Sequence, residues 1–284
     1  VDSLTVSIFS QTKPLPAHAR ARALQAALLI AGPDQTDRLA ARAGITSAAL
    51  ARRLSALLYA SQVEALGLQV TADQLDRESE GVARALWRDR RSDPRAMQLV
   101  CSLCADGVVQ DTELCLSVLQ RAVDMHLSYF VLPLLPRIAR QTALRASSGL
   151  AGVWRAAIED AITQLEYAVE SDNTAGAGGA PSGGPASPIA GASAIVSALL
   201  QWPQLSDDCA LRAKAALKQG GQVELAVKAA LCVADASARF TALSECAVDG
   251  CALQVLEAAE QLGCTEYEQQ AVYAQADAEG DYSL

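Results

Sequence analysis

Apolar residues recur every three to four positions along almost the whole chain, the spacing that gives a helix one buried face. In "TSAALARRLSALLYASQVEALG" the stripe is Leu50, Leu54, Leu57 and Leu58, and it stops at Gly67. "PAHARARALQAALLIAG" opens on Pro and closes on Gly, the usual asymmetry of helix ends. "TADQLDRESEGVARALW" starts with a Thr cap and first-turn acids. "SDPRAMQLVCSLCADG" has Ser92 or Asp93 as its cap and ends at Gly107, and "DTELCLSVLQRAVDM" is capped by Asp111 or Thr112. "LSYFVLPLLPRIARQ" must kink or split at Pro133 and Pro136, because proline lacks the donor that continues a helix. "SGLAGVWRAAIEDAITQLEYAVE" predicts one long helix with Trp154, Ile158, Ile162 and Leu165 on its stripe.

Five shorter helical patterns follow, from "SAIVSALLQW" to "DGCALQVLEAAEQLG", and a last one begins at Thr265. No segment shows clean period-two alternation. Many amphipathic helices with short turns and no strands predict an all-α fold, an irregular α-solenoid of stacked helix pairs of the armadillo or HEAT kind. No unit keeps a fixed period, so the repeats are not of the TPR or ankyrin type.

One stretch breaks the pattern. "SDNTAGAGGAPSGGPASP", residues 171–188, has too little apolar bulk to offset the entropy of ordering, which predicts a flexible insertion. It divides the chain into an N-terminal helical block, 1–170, and a C-terminal one, 189–284; whether these are separate domains or one continuous stack is left open by the insertion itself. A length of 284 residues fits one long domain or two medium ones. The chain starts at Val1 rather than Met, as expected of a piece of a longer protein.

Composition sharpens this reading. Hydrophobic residues make up 51% of the chain but aromatics only 4%, and alanine and leucine, good helix formers, dominate. No apolar run reaches the roughly 18 residues of a membrane span, and the first residues lack the basic start and apolar middle of a secretory signal, so the expected compartment is intracellular. A net charge of −9 argues against a dedicated nucleic-acid surface. The charge is uneven, however. Residues 13–53 hold seven Lys and Arg against Asp34 and Asp37, whereas from Thr241 onward there are nine acidic residues and no Lys or Arg.

Candidate chemistry is sparse. Cys101, Cys104, Cys115 and His126 are four ligands of types that hold zinc. Yet Cys101 and Cys104 fall inside a helical pattern instead of a tight knuckle, and Cys115 sits among Leu114, Leu116 and Leu119. The remaining cysteines, Cys209, Cys232, Cys246, Cys251 and Cys264, are scattered among small apolar residues, as expected of buried free thiols. No strand precedes the CxxC pair as a thioredoxin-like motif requires. No serine lies in a nucleophile elbow and no phosphate loop has its strand–helix context. Acidic pairs such as Glu159 with Asp160 read as helix-surface residues. The sequence therefore predicts no catalytic residue, no metal site and no cofactor.

Residues 35–58, "QTDRLAARAGITSAALARRLSALL", are the exception. They have the form of a helix-turn-helix with a turn at Gly44, and Arg52 and Arg53 on the second helix would meet DNA. Helix–Gly turn–helix is equally the unit of any α-solenoid. Trp87, Trp154 and Trp202 are the large side chains available as contact anchors, although an indole on an apolar stripe more often belongs to a core.

From about residue 93 to 264 the order of features resembles the C-terminal helical region of the Rough Deal (Rod) family. The stretches that carry the resemblance are "LVCSLCADGVVQDTELCLSVLQRAVDMHLSYFVLPLLPRIA", then "LAGVWRAAIEDAI", and after the insertion "IVSALLQWPQLSDDCALRAKAALKQGGQVELAVKAALCVADASARFTAL". The resemblance implies a non-enzymatic scaffold of the kinetochore: an α-solenoid downstream of a propeller, in a complex with Zwilch and Zeste-White-ten. That complex supports the spindle assembly checkpoint in mitosis and, through Spindly, recruits dynein. Vesicle-tethering subunits of the Sec39 type share the architecture and are the nearest alternative.

Overall fold

The computed structural model describes residues 15–32, 36–174, 188–201, 206–246 and 255, and among these there is no strand. The helices are α1 (Ala17–Ala31), α2 (Thr36–Arg42), α3 (Ser47–Ala65), α4 (Ala72–Arg90), α5 (Pro94–Ala105) and α6 (Thr112–Asp124). Then come three short ones, α7 (Ser128–Val131), α8 (Leu135–Ile138) and α9 (Thr142–Arg145). The chain continues through α10 (Ser148–Thr174), α11 (Pro188–Gln201), α12 (Asp207–Gln219), α13 (Val223–Leu231) and α14 (Ala236–Cys246). The described residues fall into two compact units that divide between Arg121 and Ala122.

Helix starts follow local chemistry. Thr46 caps α3 by accepting the Ala49 amide at 3.2 Å. Thr71 and Gln74 form a reciprocal capping box on α4. Asp93 caps α5, and Asp111 caps α6 by accepting from the Glu113 and Leu114 amides. The start of α1 is different: both oxygens of Glu64, from α3, accept the Ala17 amide at 3.0–3.1 Å. No local pattern announces that cap.

Four helix ends share one device. Gly44, Gly67, Gly107 and Gly221 take φ near +70°, and each is followed by an amide that reaches back five residues to close a Schellman turn. The sequence α6 uses at this place is not glycine but His126, at φ 58. Its amide bonds Val123 O and the Leu127 amide bonds Ala122 O, so the same turn is built with a side chain present.

In the first unit α1 packs on α3, α3 on α4, and α4 on α5. Leu24, Leu50, Leu57, Leu86, Met97 and Leu103 are almost wholly buried there, while Leu54 and Leu58 are only half-buried. The α4 segment is interrupted at Glu78, whose φ and ψ of −130° and 31° are not helical; Ser79 and Gly81, poor helix formers, sit beside the break.

In the second unit Pro133 and Pro136 split residues 128–138 into short turns, and α10 buries Trp154, Ile158, Ile162 and Leu165 against its neighbours. Helices α10 and α11, which flank the low-complexity stretch, pack on each other, and α12 packs on both α10 and α13. The helix α10 runs through the first four residues of that stretch to Thr174, and α11 begins at Pro188. Residues 175–187 lie outside the described residues, as do the helical patterns expected beyond Cys246, save for buried Val255. Asp207 ties the turn before α14, accepting the Ala234 and Asp235 amides at 2.6 and 3.0 Å.

Gly191 marks a close approach in this unit. A Cβ placed there would lie 2.3 Å from the Tyr129 ring, and that ring is held in place by its hydroxyl, which donates to Ala161 O at 3.0 Å. Gly191→Ala is therefore expected to destabilise the unit by about 1–3 kcal/mol through overpacking, net of the roughly 1 kcal/mol gained in helix propensity. Gly152→Ala, on α10 where nothing lies within 4 Å, should instead stabilise by about 0.5–1 kcal/mol. Denaturant midpoints of the two variants check both signs.

Candidate functional site

Cys101 and Cys104 lie on α5 and Cys115 on α6, and all three are fully buried. Burial pushes the Cys101 thiol up to about 12. Cys104 is also raised, first by its hydrogen bond with the Cys115 thiol and then by burial. The Cys115 sulfur also donates to Val109 O at 3.7 Å. Among the described residues no group of three or more His, Cys, Asp and Glu is placed to hold a metal ion. The expected outcome is that Cys101, Cys104 and Cys115 react with a thiol reagent at pH 8 only as fast as the native fold opens, and at once in denaturant. Because an unfolded thiol titrates near 8.5 and native Cys101 and Cys104 higher, the contribution of these two to stability is full below about pH 8.5 and declines as pH rises toward 12. Urea midpoints between pH 8 and 10 read that decline.

His126, the fourth ligand type in the sequence pattern, has other partners. Its Nδ1 lies 2.7 Å from Asp160 Oδ1 on α10, with the ring largely exposed. Asp160 Oδ2 accepts from the Ser128 hydroxyl and, at 2.6 Å, from the Gln164 amide. Ser128 is wholly buried. A nucleophilic serine needs the histidine as its own hydrogen-bond partner; here serine and histidine both turn to the carboxylate. The arrangement fastens the α6–α7 turn to α10, and Gln164 Nε2 adds a bond to His126 O at 3.3 Å. The pair Glu159–Asp160, which the sequence shows as ordinary surface acids, thus includes the acceptor at the centre of a three-donor network. The signal that could have located it is the non-glycine residue in a turn that at the ends of α2, α3, α5 and α12 is made with glycine.

The helix-turn-helix form at 35–58 is present locally, as α2, a turn at Gly44 and α3. Its two arginines have different surroundings. Arg53 is ion-paired with Asp73 on α4, while Arg52 is exposed.

The tryptophans separate likewise. Trp154 is 1% exposed and its Nε1 donates to Ala198 O at 3.3 Å. Trp87 is half-buried and lines a groove of about 620 Å³ between α4 and α6, with Arg84, Arg88, Asp111 and Leu114. Arg84 in that wall bonds both Glu80 and Asp111, and the Leu114 amide is the main cause of the lowered Asp111 pKa. Trp202 lies outside the described residues. No helix among the described residues is long and apolar enough to cross a membrane.

Compared with known proteins, residues 2–171 match the model of a family described as the Rough deal protein C-terminal region. The match begins well before residue 93, where the visible resemblance starts, and ends as the low-complexity stretch begins. No curated protein and no solved structure matches the chain.

Proposed function

The chain belongs to the Rough deal C-terminal family, and on that premise we propose that it is a non-enzymatic scaffold segment of a kinetochore complex. In this reading it contacts Zwilch and Zeste-White-ten and, through Spindly, supports dynein recruitment and spindle checkpoint signalling in mitosis. The family match over 2–171 is the observation that carries the proposal. The packing of successive helices within each unit supports an irregular α-solenoid. Such a scaffold works by presenting helix ridges, with binding energy concentrated in a few large side chains. Trp87, at a groove and flanked by Arg84 and Arg88, is the anchor we assign to it.

Affinity capture of the full-length protein from mitotic cells tests this reading. Recovery of Zwilch and Zeste-White-ten, reduced by Trp87→Ala, is the expected result. Recovery of SNARE proteins in their place would favour a Sec39-type vesicle tether. Sequence-preferring retardation of DNA at physiological salt would favour the helix-turn-helix reading of residues 35–58.

A further inference from the structure

Between Leu75 and Ala83, helix α4 has no fully buried side chain. A helix on a core returns an apolar residue to it every three or four positions. Here Glu78 is exposed, and Ser79 and Val82 are only half-buried. The non-helical residue Glu78 falls inside this stretch, where it interrupts the ladder of amide–carbonyl bonds that stiffens the rest of α4. Gly81 stands just past the break. Neither a close approach nor a left-handed backbone calls for glycine at that position. Serine and glycine beside an interrupted turn are the composition of a helix bend.

The two halves of α4 are fastened to different neighbours. Before the break, Asp73 pairs with Arg53 of α3, and Ala72 and Leu75 are buried. After it, Glu80 accepts the Gln110 amide at 3.2 Å, and Arg84 bonds both Glu80 and Asp111, which ties this half to the turn before α6. Ala83 and Leu86 are the buried residues there. A polar contact bridges the two sets directly. The Tyr59 hydroxyl, on α3, donates to the Asp106 carboxylate at the end of α5 and lies 3.3 Å from Ser102 O.

We propose that Glu78 is a hinge within the first unit and that the Tyr59–Asp106 bond is its catch. One body is α1, α2, α3 and the opening turn of α4; the other is the remainder of α4 with α5 and the start of α6. When the catch lets go, the second body tilts about residues 78–81, while the ion pairs inside each body keep its own helices together. The residues that line the groove beside Trp87 all lie between 81 and 117. The groove therefore rides on the second body, keeping its shape and changing its direction. A bend of fixed angle fits worse, because no fully buried side chain in residues 76–82 holds α4 at one angle. The hinge rests on the first unit alone, whichever partner the chain binds.

Spin labels on unnatural ketone side chains at positions 52 and 117 test this in the full chain, leaving its eight cysteines native. Arg52 and Ser117 are both exposed and lie one on each body. Pulsed electron resonance should show a main distance and a minor second population, raised at least threefold by Tyr59→Phe. Ser79→Ala combined with Gly81→Ala favours unbroken helix and should lower that population at least threefold. Hydrogen exchange on the unaltered chain gives a second reading: amides 79–82 should exchange at least tenfold faster than amides 85–88. A single narrow distance overturns the proposal even when exchange at 79–82 is fast, because the bend is then fixed. Equal protection of the two sets of amides overturns it, and so does a second population that Tyr59→Phe leaves unchanged. The unaltered chain supplies both the distances and the exchange rates, so the hinge stays testable should a variant fail to fold.

Discussion

Trp154→Ala is expected to lower the stability of the second unit by about 3–5 kcal/mol, the largest effect of any single substitution considered. The indole is 1% exposed, so its removal forfeits the transfer energy of a large side chain and leaves a cavity between α10 and α11. The Ala198 carbonyl also loses its Nε1 donor and sits in a place water reaches poorly. Domains of this size are stable by about 5–15 kcal/mol in all. The variant should therefore unfold at a markedly lower urea concentration with an unchanged slope. Trp154→Phe keeps a ring but no donor and should lose less, about 1–2 kcal/mol. A loss below about 1 kcal/mol in the alanine variant would show that the indole does not fill this core.

Asp160→Ala follows at about 2–3 kcal/mol. The substitution removes the shared acceptor of His126, Ser128 and Gln164. The worst consequence falls on Ser128, whose hydroxyl is wholly buried and would keep its donor with no acceptor. His126 is exposed and can turn to water, so its lost bond matters less. A double-mutant cycle separates these contributions: adding Ser128→Ala to Asp160→Ala should recover part of the loss, because the orphaned hydroxyl goes with it. Strict additivity of the two substitutions would exclude the network as described.

The helical content and the helix limits were legible because they rest on local chemistry. Caps such as Thr71 and Asp93 satisfy amides within three residues of themselves, and Gly44, Gly67, Gly107 and Gly221 supply the left-handed residue a helix end requires. The burial of Cys101, Cys104 and Cys115 was legible for a similar reason, as they sit on helical stripes among leucines. The Rough deal resemblance was visible between about residues 93 and 264 but not in the first 92 residues, where alanine- and arginine-rich helices offer little that the eye can distinguish from any other helix pair; the family match covers residues 2–171 and so includes those, but not the part beyond 171.

Other features depend on residues far apart in the chain. That Glu64 caps α1, that Arg53 spends its charge on Asp73, and that Asp160 gathers three donors are facts about which helix faces meet. No periodicity encodes them, because a carboxylate on a helix surface looks the same in sequence whether it faces water or a neighbour's amide. The same holds for the outward face of α1. The helical period of α1 is written in the sequence, but only the structure shows that Leu24 and Ala27 turn inward while Leu29 and Ile30 stay exposed. An amphipathic period says that a helix has two faces; packing decides which of them remains available.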